Sequence, residues 1–148
     1  MTNRVKLVSF VCMANYCRSP VAMTLFKNKY GSLLNVNSAG INPMISAGMD
    51  SRSIYYLKEK KIPFEIHNPK KIDKSLLNSS DIVFAMDPII LMSLNKTFKN
   101  YRTKLKLFSY QHRNLKIKDP YKLSKDKYIE VMNEINFVIE TFKLEELF

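Results

Sequence analysis

Cys12 and Arg18 are the residues in this sequence whose types and spacing suit chemistry, within the run Val11-Cys12-Met13-Ala14-Asn15-Tyr16-Cys17-Arg18-Ser19-Pro20. A cysteine attacks as its thiolate, which is stabilised where backbone N–H groups converge at the start of a helix. The N–H groups from Met13 to Arg18 can converge in that way on Cys12. The planar fork of Arg18 can grip two phosphate oxygens, which an ammonium cannot do. Ser19 can hydrogen-bond the sulfur, and Asn15 tolerates a left-handed backbone while its amide ties the loop to a neighbour. Attack on a phosphate ester needs a nucleophile, a clamp for the equatorial oxygens and an acid for the leaving group. The run supplies the first two.

The elements that must position this loop follow from hydropathy. Val5 to Val11 reads as a buried strand, and Val21 to Tyr30 as a helix with Val21, Ala22, Leu25, Phe26 and Tyr30 at helical spacing. Ser19 is expected as its N-cap, Pro20 at the first helical position and Gly31 as its stop. Leu33 to Ser38 reads as a second strand and Asn42 to Asp50 as an irregular loop. Ser51 to Lys61 reads as a helix with Ile54, Leu57 and Lys58 on one side, and Ile62 to His67 as extended. Asp73 to Leu77 is a short helix, Asp81 to Met86 the third strand, Ile89 to Phe98 a helix and Lys104 to Phe108 the fourth strand. Asp119-Pro120-Tyr121 lies in a long polar connection. Lys125 to Phe142 is the last helix, with its apolar stripe at Tyr128, Val131, Met132, Ile135, Val138, Ile139 and Phe142.

The alternation predicts an α/β three-layer sandwich, a four-stranded parallel sheet with helices on both faces and a phosphate-binding loop after the first strand. In such sheets ligands bind at the carboxyl ends of the strands, here Cys12, Ser38 and Asp87. The 148 residues fit one domain, 1–148, and 46% of them are hydrophobic. No apolar stretch reaches the roughly 18 to 20 residues that span a bilayer. Residues Met1 to Lys6 lack a signal-peptide pattern, so a cytoplasmic protein without membrane insertion is expected. Two cysteines are too few for a disulfide scaffold or a four-cysteine zinc site, and His67 and His112 lack zinc-finger spacing, so no metal or cofactor is expected. The net charge of +11 comes from short lysine-rich runs with sparse Arg and no interleaved aromatics, so no nucleic acid is expected. The charge would instead steer the chain toward acidic or phosphorylated partners.

CMANYCRSP at the end of the first strand resembles the low-molecular-weight protein tyrosine phosphatases. The resemblance continues through Ser38-Ala39-Gly40, His67, the run DIVFAMD from Asp81 to Asp87, and Asp119-Pro120-Tyr121. It implies a phosphotyrosine-protein phosphatase working through a phosphocysteine on Cys12, with Arg18 as phosphate clamp. Asp119 would protonate the departing phenolate and then activate water. Met13, Ala14, Asn15, Tyr16, Cys17 and Ser19 would line the phosphate, Met44 and Tyr121 would wall the pocket, and Ser38, His67 and Asp87 would support the loop. Cys17 would form a reversible disulfide with Cys12 that shields the nucleophile from irreversible oxidation. DPYKLSKDKY is similar to the bacterial branch that acts on tyrosine kinases of polysaccharide export. The partner implied is therefore a tyrosine-phosphorylated protein, such a kinase among the candidates, with inorganic phosphate as product and a monomer or weak dimer as the state.

Four positions depart from the family's pattern: Met44 stands where an aromatic residue is usual, Lys122 where many eukaryotic members have a second tyrosine, and two lie in the loop itself. Ala14 stands where glycine is usual and strains the loop if its φ is positive. Tyr16 stands where a smaller residue is usual, and bears on selectivity. Three alternatives remain. A protein arginine phosphatase of this fold is disfavoured by the size of Tyr16. An arsenate reductase relay needs a distal cysteine pair, and no cysteine follows Cys17. A phosphate-binding module with weak turnover is disfavoured by the presence of Cys12, Arg18 and Asp119 together.

Overall fold

A computed structural model describes residues 6–148. The sheet contains β1 (Lys6–Cys12), β2 (Leu34–Gly40), β3 (Ile82–Ala85) and β4 (Leu105–Leu107), in the order β2-β1-β3-β4 with every pairing parallel. The expected start of the first strand at Val5 lies outside the described residues. The helices are α1 (Arg18–Tyr30), α2 (Ser51–Glu59), α3 (Lys74–Ser79), α4 (Pro88–Thr97) and α5 (Lys125–Glu140), with short 3₁₀ turns at Lys99–Lys104, Tyr110–His112 and Leu144–Glu146.

The central strands are buried on both faces, and successive side chains alternate between two cores, which produces the layers. Val8, Phe10 and Cys12 of β1, with Ile82, Phe84 and Met86, face a core shared with α1, α2 and α5. Val11, Val83 and Ala85 face the other side, against Leu77 of α3 and Ile90 and Leu94 of α4. The expected three-layer sandwich is therefore present. The first core is tied by aromatic pairs, with ring centroids 5.4 Å apart for Phe10–Phe26, 5.6 Å for Phe10–Phe84 and 5.4 Å for Phe84–Phe142. Each buried Phe contributes about 1.5–3 kcal/mol through its burial, which fixes β1 and hence the position of Cys12.

The last helix buries its predicted stripe, with Tyr128, Met132, Ile135, Val138 and Ile139 wholly enclosed. On α2 the buried side is Ser53, Tyr56 and Leu57, and Lys58 is exposed rather than sharing the side of Leu57. The polar Ser53 goes inside because its hydroxyl finds buried partners, a reason that hydropathy does not register. The start of α1 also differs from expectation. The helix begins two residues early, at Arg18, and its N-cap position is Cys17. Ser19 lies inside the first turn with its hydroxyl committed elsewhere, so it caps nothing, and Pro20 is the third helical residue. Asp50, Asp73, Asp87 and Ser124 do cap their helices by side-chain hydrogen bonds. Among the described residues, no helix is long and apolar enough to cross a membrane.

Candidate active site

Cys12 is the last residue of β1 and pairs in register with Gly40 of β2. The chain from Cys12 to Cys17 must then turn from strand into helix beside the end of β2. The approach is close: a Cβ on Gly40 would lie 2.8 Å from the Asn15 nitrogen and 2.9 Å from the Met13 oxygen. Glycine is therefore required at that position by space.

Each carbonyl oxygen from Cys12 to Cys17 accepts a hydrogen bond from outside the loop. The donors are Ile41 N–H to Cys12 (3.1 Å), Asn42 N–H to Met13 (2.8 Å) and Met44 N–H to Ala14 (3.0 Å). His67 Nε2 lies 2.7 Å from the Asn15 oxygen, Asp50 N–H donates to Tyr16 (3.0 Å) and Ser53 Oγ donates to Cys17 (3.1 Å). A trans peptide directs its N–H opposite its C=O. With six carbonyls turned outward, the N–H groups of Met13 to Arg18 are directed to the inner side of the loop, a ready anion cradle.

Asn15 makes this turn possible. It is fully buried with φ of 51°, a left-handed conformation that Asn bears better than most residues. Both amide hydrogens are used, by Ser19 Oγ at 2.8 Å and Ser38 Oγ at 3.0 Å, and Oδ1 accepts from the Lys70 N–H at 3.0 Å. Ala14 is absent from the positive-φ residues, so its methyl group adds no backbone strain. His67 must present Nε2–H to the Asn15 oxygen, because a carbonyl only accepts. Burial lowers the pKa of His67, and Lys70 adds to this against the hydrogen bond to Asn15, so the ring favours its neutral form.

The Cys12 sulfur lies 3.0 Å from Ser19 Oγ. Arg18 is 2% exposed. Its Nη1 donates to Asp87 Oδ2 at 2.7 Å and to the Ile117 carbonyl at 2.8 Å, which uses both hydrogens of that nitrogen. Among the described residues no hydrogen bond engages Nε or Nη2, so these two can form a fork. Asp87 also caps α4 by accepting from Ile90 N–H at 2.9 Å, so its carboxylate is fixed from two sides. Cys17 is buried beside Asp50, and its thiol is pushed up to about 12, burial being the main cause.

A cavity of about 330 Å³ opens over the loop, lined by Cys12, Met13, Ala14, Tyr16, Cys17, Arg18, Asn42, Met44, Asp119 and Tyr121. The rings of Tyr16 and Tyr121 meet edge to face with centroids 6.1 Å apart. Asp119 is exposed, and its Oδ1 accepts from the Tyr121 N–H at 3.2 Å. Thus the predicted residues gather at one place: nine line the cavity, while Asn15, Ser19, Ser38, His67 and Asp87 lie in the network around the loop. A larger cavity of about 630 Å³, beside α1 and residues 63–68, shares only His67 with that group.

Sequence reasoning missed Asn42, Asp50, Arg52, Ser53 and Gly40. Asp50 is 4% exposed, and three Arg52 nitrogens hydrogen-bond its carboxylate. Burial opposes ionisation of Asp50, but Arg52 outweighs it and holds the carboxyl below its ordinary range. In the sequence, Asp50-Ser51-Arg52 carries only an N-cap signal, and the ion pair forms where the fold brings its partners together.

Comparison with known proteins agrees with this geometry. Residues 7–147 match the family model for low molecular weight phosphotyrosine protein phosphatase. The low molecular weight protein-tyrosine-phosphatase Wzb of Escherichia coli K12 is 30% identical over 121 residues, covering 82% of this chain and 82% of that protein. Among solved structures, Vibrio vulnificus Wzb in complex with benzylphosphonate superposes with a TM-score of 0.85 at 24% identity, over 93% of this chain and 96% of that one. The YwlE arginine phosphatase from Geobacillus stearothermophilus superposes with a TM-score of 0.85 at 25% identity, over 91% and 88%. With the family model matched across almost its whole length, this chain belongs to the low molecular weight protein tyrosine phosphatases.

Proposed function

We propose that the enzyme dephosphorylates phosphotyrosine in proteins by a two-step displacement through a phosphocysteine. The phosphate dianion of the substrate sits in the N–H cradle, with two oxygens on the Nε and Nη2 fork of Arg18. The Cys12 thiolate attacks phosphorus in line, and the P–O bond to the tyrosine ring breaks. Asp119 gives its proton to the departing phenolate oxygen. The resulting carboxylate then takes a proton from water, whose oxygen attacks the phosphocysteine and releases inorganic phosphate and the thiolate. Ser19 stabilises the sulfur as nucleophile and as leaving group.

The observation that carries this reading is the single cavity joining Cys12, Arg18 and Asp119, walled by the rings of Tyr16 and Tyr121. Two aromatic walls suit a planar phenyl ring. A phosphorylated arginine is the second reading, supported by the likeness to a YwlE arginine phosphatase. Tyr16, a bulky ring on the cavity wall, weighs against it. The bacterial branch that the chain resembles points to a tyrosine-phosphorylated protein as partner, such as a kinase of polysaccharide export, and to action in the cytoplasm.

Turnover of a phosphotyrosine peptide and of phosphoarginine, by the wild type and Cys12→Ser, tests the reading. Hydrolysis of the peptide in preference, lost in Cys12→Ser, is expected. Preference for phosphoarginine would replace the substrate assignment, and full activity in Cys12→Ser would overturn the mechanism.

A further inference from the structure

The loop that carries Asp119 is exposed, yet a general acid must sit within hydrogen-bond reach of the leaving oxygen. Two guanidinium groups tether that loop, one on each side of Asp119. On the near side Arg18 Nη1 holds the Ile117 carbonyl at 2.8 Å. On the far side Arg52 Nη2 donates to the Tyr121 carbonyl at 2.9 Å and Nη1 to the Leu123 carbonyl at 3.0 Å. Tyr121 in turn gives its N–H to the Asp119 carboxylate at 3.2 Å. Arg52 thus grips the residue that orients the acid.

Arg52 is itself fixed to the phosphate loop. Its Nε and Nη2 bind Asp50 Oδ1 and Oδ2 at 3.0 and 2.9 Å. The Asp50 N–H donates to the Tyr16 carbonyl at 3.0 Å. The guanidinium carbon lies 4.1 Å from the centroid of the Tyr128 ring, whose hydroxyl meets Ser53 Oγ at 2.5 Å, and Ser53 donates to the Cys17 carbonyl. One side chain therefore joins segments far apart in sequence, Arg52 lying 69 residues before Tyr121 and 71 before Leu123. The fork geometry that lets Arg serve a carboxylate and two carbonyls together is not available to Lys.

We propose that Arg52, anchored by Asp50, is a positioning residue for the acid: it sets the distance between Asp119 and the phosphate bound at Cys12. The proposal rests on the reading of Asp119 as general acid. A positioning role makes a specific demand on kinetics. Loss of Arg52 should matter in proportion to how much the leaving group needs a proton.

The test measures kcat/KM, which reports the step that expels the leaving group, for p-nitrophenyl phosphate, whose leaving group needs little protonation, and for phenyl phosphate, whose leaving group needs much. The variants are Arg52→Ala, Arg52→Lys, Asp119→Ala and the double variant Arg52→Ala/Asp119→Ala, each checked for folding by its melting curve. General acid catalysis supplies about 10²–10⁴-fold. Arg52→Ala should lose about tenfold or more on phenyl phosphate and only a few-fold on p-nitrophenyl phosphate, part of that range. Arg52→Lys, which keeps the charge beside Asp50, should show the same pattern more mildly, and it carries the test if the alanine variant fails to fold. In the Asp119→Ala background, removing Arg52 should cost little more. Equal losses on both substrates, or losses that multiply in the double variant, would overturn the proposal. If Asp119→Ala itself lost activity equally on both substrates, the acid assignment would fall and this proposal with it. Leaving-group dependence in Asp119→Ala alongside uniform loss in Arg52→Ala would overturn the proposal alone.

Discussion

Ser19 Oγ lies 3.0 Å from the Cys12 sulfur, and the other partners of that hydroxyl decide what it does there. Asn15 Nδ2 donates to it at 2.8 Å, so Ser19 accepts from Asn15 and keeps one proton to give. The Cys12 sulfur is nearer than the Ala39 carbonyl, which is 3.5 Å away. With Cys12 as the thiolate of the proposed mechanism, sulfur can only accept, and the Ser19 proton serves it. A hydrogen bond to a charged group is worth about 1.5–3 kcal/mol, or roughly 10- to 150-fold in rate. Ser19→Ala should lower kcat on p-nitrophenyl phosphate by about that factor and leave inorganic phosphate binding nearly unchanged. Steady-state kinetics with phosphate as competitive inhibitor measures both quantities.

In the proposed mechanism Arg18 serves three partners from one guanidinium: Asp87, the Ile117 carbonyl and the substrate. Its Nη1 is committed to the first two. A lysine there is a single point charge and cannot reproduce both the tether and the fork. Arg18→Lys should lower kcat by about 10²–10³, the usual effect of losing a preorganised oxyanion donor. It should also weaken binding of inorganic phosphate and vanadate, which isothermal titration measures directly.

His67 gives the protein a pH-dependent stability. Its folded pKa lies below the ordinary 6.5, because burial opposes the charge. The unfolded chain therefore binds a proton first as pH falls. Stability is present above about pH 6.5 and is lost as pH falls through that value toward the lower folded pKa. His112 has the same sign, also from burial. Comparison of the wild type with His67→Gln separates the two, since the glutamine amide can still donate to the Asn15 carbonyl. The denaturation midpoint of the wild type should fall more steeply between about pH 7 and 5 than that of His67→Gln. Asp50 acts later: its depressed carboxyl contributes stability above its unfolded value of 3.8 that is lost only below it.

Ala14 has an ordinary backbone angle, so glycine there relieves nothing. Ala14→Gly should destabilise the protein by about 0.4–1 kcal/mol through the greater freedom of the unfolded chain, with kcat within a factor of about two. Urea denaturation and p-nitrophenyl phosphate turnover check the two halves of this expectation.

The phosphate loop could be read from sequence because its chemistry restricts residue types: thiol, guanidinium, a left-handed Asn and a hydroxyl at fixed offsets. The sheet could be read because strands and helices alternate with clear periods. The function of Asp50, Arg52 and Ser53 could not. Locally they resemble an N-cap, a charged surface residue and a small polar residue at a helix start. Their partners are fixed only when β2, α2 and the Asp119 loop meet in three dimensions. Ser19 illustrates the opposite error. Ser-Pro before an apolar run is a sound N-cap signal, but tertiary partners at Cys12 and Asn15 claimed the hydroxyl.

The most direct measurement traps the intermediate. Wild-type enzyme mixed rapidly with excess p-nitrophenyl phosphate and quenched in denaturant should carry one phosphoryl group, mapped by mass spectrometry to the peptide containing Cys12. The same group should be absent from Cys12→Ala, which has no side-chain nucleophile, and from a control without substrate. Turnover with no phosphorylated Cys12 peptide at any quench time, or undiminished turnover by Cys12→Ser, would contradict the account.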